Sequence, residues 1–183
     1  DYGQTADGSR AYAGGINPAG AVRLDRDEDL TNLTTGNLNL EYRFLKDFKL
    51  AVTYGFQSTA SKNETLANPY YGDAAKLGRI SNLNENDFSW TLNEILSWGK
   101  TFGDHTVDAF IAHEATKNEF DFLQSGKKKL ILGNVTTLDD GLIRGDISGY
   151  RLTYAIESYF GQARYDYQNK YYLSTSVRRD GSS

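Results

Sequence analysis

Two histidines, His105 and His113, are the only imidazoles in the chain, and imidazole is the side chain most often used as a metal ligand or proton carrier near neutral pH. On one extended strand, residues eight apart stand roughly 26 Å from each other, too far to share a metal ion. Nucleophilic chemistry finds no Gly-x-Ser-x-Gly elbow. Cysteine is absent, which excludes thiolate catalysis, thiolate metal sites and a disulfide framework. Asp25, Asp27 and Asp29 occupy alternate positions as in a calcium loop, but Leu30 stands where that loop needs glycine and Gly36 where it needs an acid. A solvated acidic loop is the expectation. Lys127, Lys128 and Lys129 read as an exposed, soluble stretch, with binding to an anionic surface or an acidic substrate as the alternative. No catalytic, cofactor-binding or metal residue is expected, and the chain is read as non-enzymatic.

Composition narrows the class. The 24 acids and 20 bases leave a formal charge of −4, which argues against nucleic acid as a partner, since such binders carry a clustered basic excess. The 183 residues include 18 glycines, 13 tyrosines, 2 prolines and no methionine. Because the chain starts at Asp1 without methionine, it is expected to be a segment of a longer protein. No apolar run approaches the roughly 20 residues of a membrane helix, and no signal peptide is visible. Low overall hydropathy suits a soluble protein, and equally a transmembrane β-barrel, in which only every second strand residue meets lipid.

Hydrophobic periodicity is two residues. Leu38, Leu40, Tyr42 and Phe44, and beyond a turn at Leu45-Lys46-Asp47, Phe48, Leu50, Val52, Tyr54 and Phe56, all fall on even positions. Residues two apart on a helix lie about 200° apart, so this pattern specifies a β-hairpin. It spans about 32–58. A second hairpin, about 86–116, carries Phe88, Trp90, Leu92, Leu96 and Trp98 on one parity, with Glu94 an exception and Ile95 on the opposite face; a bulge or a packed interior would explain it. A third, about 152–180, carries Tyr159, Gly161, Ala163, Tyr165 and Tyr167 against polar residues, then restarts after Gln168-Asn169-Lys170. Residues 1–31 read as a long loop or irregular arm, and 59–85 and 117–150 as long polar loops.

Short turns and long connections therefore alternate. In an up-and-down antiparallel meander of about six strands, all the short turns fall at one end of the sheet, as in outer-membrane barrels. Tyr42, Phe44, Phe48, Trp98, Tyr165, Tyr167 and Tyr171 flank the short turns, where a girdle of amphipathic rings would meet the lipid headgroups. The opposite parity is polar. Asn39, Glu41, Arg43, Gln162, Arg164 and Arg178, with Asn37, Thr53, Gln57, Asn93 and Asp166, are expected to face a lumen and to pair across strands. Substrate contact is assigned to the loop aromatics Tyr70, Tyr71, Phe120 and Phe122. A soluble all-β carbohydrate-binding or adhesion module remains the alternative, and a β-sandwich hydrolase a third, which would need an acid pair in a cleft.

Three stretches resemble one family in order: GNLNLEYRFLKDFKLAVTYGF (36–56), TLNEILSWGKTFGDHTVDAFIAHE (91–114) and SYFGQARYDYQNKYYLSTSVRRDGSS (158–183). Each is similar to a hairpin of SusC/RagA-type TonB-dependent outer-membrane transporters, and the resemblance covers about 30–183, with Ile16-Asn17-Pro18 also similar upstream. It implies an arc of a 22-stranded transmembrane β-barrel in the bacterial outer membrane, importing large nutrients such as glycans or oligopeptides. It also implies a SusD-type lipoprotein lid, an N-terminal plug, and TonB as the energy source acting through parts outside this chain. No cofactor is implied. At about 30 residues per strand, 22 strands would take about 670 residues, so the chain would supply about a quarter of the barrel.

Overall fold

A computed structural model describes residues 18–70, 74–131, 135 and 137–183. A short helix α1 (Pro18–Leu24) precedes six strands: β1 (Arg26–Phe44), β2 (Phe48–Ala67), β3 (Arg79–Phe102), β4 (His105–Leu130), β5 (Gly141–Tyr167) and β6 (Tyr171–Ser182). They form a single sheet in the order β1-β2-β3-β4-β5-β6, antiparallel throughout. The fold class is the all-β meander expected from the periodicity. Both prolines, Pro18 and Pro69, lie outside the strands, where a residue without a backbone N–H breaks no ladder.

Turn length sets the parity of the faces. Three-residue turns at 45–47 and 168–170 join β1 to β2 and β5 to β6, and a two-residue turn at 103–104 joins β3 to β4. Across a three-residue turn, even positions face even ones or odd face odd, as in Tyr167 opposite Tyr171. The two-residue turn exchanges parity. The apolar side chains therefore lie on even positions in β1–β3 and on odd positions in β4–β6. Thr101–Thr106, Glu94–His113 and Thr91–Thr116 all pair in one constant register, so β3 contains no bulge around Glu94. Gln168 and Asn169 adopt φ of 54° and 55°, and Lys170 N–H donates to the Tyr167 carbonyl at 3.0 Å. Positive φ at both central residues is the type I′ signature, whose twist matches that of the flanking strands.

The expected boundaries need correction. The stretch 1–31 is not wholly a loop, because α1 and the first residues of β1 lie in it; residues 1–17, including Ile16 and Asn17, are outside the described residues. The long loops 59–85 and 117–150 are much shorter than expected. β2 continues to Ala67, β3 begins at Arg79, β4 continues to Leu130 and β5 begins at Gly141. These extensions are mostly polar and show no sustained apolar alternation. They pair through the backbone ladder and through polar side chains. Asn63 Nδ2 donates to Asp27 and Asp29 at 2.9 and 2.8 Å, and Thr31 and Ser61 hydroxyls meet at 3.1 Å.

Contacts divide the chain into two units. A loop-side unit comprises 1–32, 60–86 and 121–151; a turn-side unit comprises 33–59, 87–120 and 152–183. The loop-side unit holds a small core of Leu66, Ile80 and Val135, with Leu130 and Leu138 packed on it. The turn-side unit buries few side chains completely, among them Ala112 and Ser158.

The type I′ geometry predicts opposite responses at Asn169. Valine there, β-branched and forced to positive φ, is expected to cost about 1–2 kcal/mol, whereas glycine should be neutral or gain up to about 1 kcal/mol. Unfolding midpoints of Asn169→Val and Asn169→Gly measure this; equal midpoints would contradict the turn assignment.

Candidate functional site

The turn-side unit presents two chemically different faces. On the apolar one, Leu38, Leu173 and Val177 are each about 70% exposed (69%, 69% and 73%), and Leu40 and Ile111 are similarly open. Aromatic rings form a chain near the turns. Tyr42 stacks on Phe44 at 5.7 Å, Phe44 on Phe48 at 5.5 Å, and Phe48 lies 6.5 Å from Trp98. Further along the turn side, His105 stacks with Tyr165 and Tyr167, and Tyr167 with Tyr171. All seven expected interface rings thus lie in two ring chains, the second joined through His105. A second set, Tyr54, Phe56 and Trp90, packs farther from the turns, with centroids 6.3–6.4 Å apart.

The polar face is paired across strands. Thr53 donates to Asn39 Oδ1 at 2.9 Å, and Glu41 accepts from Arg43 at 2.9 Å with Lys49 at 3.8 Å. Gln162 and Arg164 stand opposite Ser176 and Ser174. Arg178 is the most connected. Its Nε donates to both Asp180 oxygens at 2.8 and 3.1 Å, its Nη2 to buried Ser158 at 3.2 Å, and Glu114 lies at 3.8 Å. Its guanidinium sits 5.0 Å over the Phe160 ring, and Phe160 meets Phe110 edge-on at 6.1 Å. These two phenylalanines on the polar parity went unremarked in the sequence because single apolar residues there break no period.

The histidines take separate roles. His105 lies beside the 103–104 turn and bonds Tyr165 Oη at 2.6 Å. His113 is in the interior of β4, which runs on to Leu130. It bridges Glu94 and Glu157. Glu94, the parity exception, is explained by that bond: a carboxylate on the apolar face has a cross-strand imidazole to meet.

Of the expected substrate aromatics, Tyr70 lies in the β2–β3 connection and is exposed, and Tyr71 is outside the described residues. Phe120 and Phe122 are strand residues of β4 rather than loop residues, because the polar extension carries the ladder past them. Phe122 stacks on Tyr150 at 4.9 Å and 19°, a partner that sequence reasoning missed since the two are joined only by the β4–β5 register. The acids of the expected solvated loop are held by amides: Asp25 accepts from Asn68 N–H and Nδ2 at 2.8 and 2.6 Å. Lys127 lies 3.6 Å from Asp139.

No family model matches the chain. It is 24% identical over 170 residues to TonB-dependent receptor P3 of Formosa agariphila, and 25% over 171 residues to TonB-dependent receptor SusC of Bacteroides thetaiotaomicron, in each case across 91% of this chain and 17% of the relative. The structure of the RagAB peptide transporter superposes over 96% of this chain with a TM-score of 0.80 at 20% identity, covering 21% of that chain. The RagAB peptide importer in its closed-closed state gives 0.82 at 18% identity, over 97% and 21%. The chain is thus similar in sequence to TonB-dependent receptors and has the fold of part of the RagAB transporter. The chain spans about a sixth of the curated relatives' length.

Two measurements follow from these contacts. Arg178→Ala leaves Ser158 without its donor and uncovers the Phe160 ring, and is expected to cost about 1–2 kcal/mol; Arg179→Ala, whose side chain has no such network, should stay within about 0.5 kcal/mol. Equal losses in denaturant titrations would remove the network's structural role. In the loop-side unit, the Lys62 hydrogen bond at 2.6 Å holds the Glu64 carboxyl below its ordinary 4.5, with Arg26 adding to it and partial desolvation opposing. A depressed carboxyl stabilises above its unfolded pKa and loses that contribution as pH falls through the folded value. Lys62→Gln should therefore raise the Glu64 midpoint towards 4.5 in an NMR titration.

Proposed function

We propose that this chain is a stretch of barrel wall and outer loops in an outer-membrane importer of large nutrients, a non-enzymatic role. The observation that carries it is the uncovered apolar face of the turn-side unit. A continuous exposed apolar surface of this kind marks a contact with lipid or a partner. Here it is edged by aromatic rings beside three short turns, the arrangement of an outer-membrane barrel wall. Likeness to TonB-dependent receptors supports the same reading.

In this reading the apolar face of the turn-side unit meets lipid. Tyr42, Phe44, Phe48, Trp98, Tyr165, Tyr167 and Tyr171 sit at the inner interface. Asn39, Glu41, Arg43, Gln162, Arg164 and Arg178 face the lumen of a barrel of 22 strands. Energy comes from TonB, and a SusD-type lipoprotein closes the outer mouth, both acting through parts beyond this stretch. The cargo is a glycan or an oligopeptide; the RagAB relatives carry the name of a peptide transporter. Tyr70, Tyr71, Phe120 and Phe122, with Tyr150 stacked on Phe122, are the aromatic surfaces for it, since flat rings stack on sugar faces and apolar side chains alike.

Adjacent positions on β2 test the embedding. Val52 lies on the apolar parity and Ala51 on the polar one. Arginine at a lipid-facing midplane position costs about 2–4 kcal/mol, and far less on the lumen side. Val52→Arg should therefore sharply reduce folding into lipid vesicles while Ala51→Arg folds nearly as the parent. If both variants fold equally well, or the parent protein is a monodisperse β-rich species without detergent, the soluble binding module takes precedence.

A further inference from the structure

His113 has a carboxylate at each ring nitrogen. Its Nδ1 lies 3.0 Å from Glu94 Oε2 on β3, and its Nε2 lies 3.2 Å from Glu157 Oε1 on β5. A neutral imidazole has one N–H and one lone pair, so it donates to only one of them and sets its lone pair against the other. Both contacts are hydrogen bonds only when both nitrogens carry protons. The other groups facing the ring are few. Tyr159 donates to Glu157 Oε1 at 2.6 Å and stacks on His113 at 4.8 Å and 28°. Arg179 stands directly opposite Tyr159 on β6 and lines the same groove as His113. On β4 itself the same-parity neighbours Ile111 and Ala115 carry no charge, and Glu114 lies 3.8 Å from Arg178 on the polar face.

We propose that His113 is a proton-operated clasp: as an imidazolium it ties β3 and β5 to β4 through Glu94 and Glu157, and on giving one proton to solvent it lets go of Glu157. Glu157 is the partner released because Tyr159 already supplies it with another donor, whereas no second donor reaches Glu94 among the described residues. Nδ1–H then stays on Glu94, and the bare Nε2 repels the Glu157 oxygen. Stacking on Tyr159 keeps the ring in place, so the clasp closes again when the proton returns. Its sign follows from the charges. The clasp holds on the acidic side of neutrality and opens as pH rises, because only the protonated ring satisfies both carboxylates. Below about pH 4 the carboxylates are themselves protonated and it opens from the other side. Solvent protons reach the cluster. The His113 side chain is 25% exposed and that of Glu157 58%. In a barrel wall, eight residues along β4 from His105 make about 26 Å of strand, or about 20 Å along the membrane normal at a tilt near 40°. An apolar band is about 25 Å tall, so the cluster stands near its far edge and not at its midplane.

The test is hydrogen–deuterium exchange of the native-length protein in detergent micelles at about pH 6 and about pH 9, each rate divided by the intrinsic chemical rate at that pH. Protection of 155–159 on β5 is expected to fall roughly threefold to tenfold at the higher pH, the effect of one partly exposed charge-assisted contact. Protection of 48–56 on β2, which holds no clasp residue, should not change. His113→Gln should leave 155–159 weakly protected at both values. Glu94→Gln should do the opposite. Its amide donates to the Nδ1 lone pair, which leaves Nε2–H for Glu157 without a second proton, so protection stays high at both. Glu94→Gln decides the matter even where His113→Gln fails to fold. Protection of the parent that ignores pH, a Glu94→Gln variant that opens with pH as the parent does, or an equal fall at 48–56 would each overturn the proposal.

Discussion

Turn parity is the constraint on which the rest depends. Side chains alternate with a period of two, so a one-residue slip would carry a strand's whole apolar set to the other face. The turns of three, two and three residues at 45–47, 103–104 and 168–170 fix where that set lies. The middle turn exchanges parity, and the sequence complies: apolar residues move from even positions in β3 to odd positions in β4. Gly103, at φ 59°, supplies the conformation that so short a turn needs. An insertion of one residue there would set Ile111 and Tyr159 among the polar side chains and expose Arg178 with its partners on the apolar face.

Once parity is fixed, the sheet has an apolar face that its own described residues leave open. In a sandwich, a second sheet would cover such a face at about 10 Å. Here the cover must come from elsewhere, and the rings beside the turns indicate its nature. Tyr165 offers its hydroxyl to His105, so its polar tip is engaged near the turn while the greasy ring body stays outward. A lipid boundary asks for that combination of apolar body and wet tip. The polar face has the opposite need. Its charged residues are satisfied sideways, between neighbouring strands, as with Glu41 and Lys49, leaving few of them to find partners elsewhere.

The sequence was legible wherever apolar and polar residues alternate. That holds for the hairpin of β1 and β2 around 45–47, and for the one of β5 and β6 around 168–170. It failed where both faces are polar. Residues 60–67, 79–85, 117–130 and 141–151 are strand, yet Ser61, Asn63, Lys117 and Glu119 carry no apolar period to announce it. Their pairing is visible only in three dimensions, as when Asn118 donates to Asp87 or Arg151 to Asp121. Glu94 was visible as an anomaly, but its cause, His113, depends on the register across the 103–104 turn. The stack of Phe122 on Tyr150 was hidden for the same reason, since 28 residues and a connection separate them.

This difference in legibility has a physical origin that bears on how such a protein can change. In the turn-side unit, the apolar positions share one face, and where that face meets lipid as proposed, substitutions that reverse polarity are opposed by several kcal/mol. In the loop-side unit, strands are joined by the backbone ladder and by polar pairs that contribute only about 0.2–1 kcal/mol each. Asn63 shared between Asp27 and Asp29 is replaceable by many other pairs without moving the backbone. The small core of Leu66, Ile80 and Val135 then suffices to hold the connections in place. Long polar extensions on a parity-locked sheet thus separate two demands: the turn-side unit keeps the register, and the loop-side unit is free to vary its polar side chains.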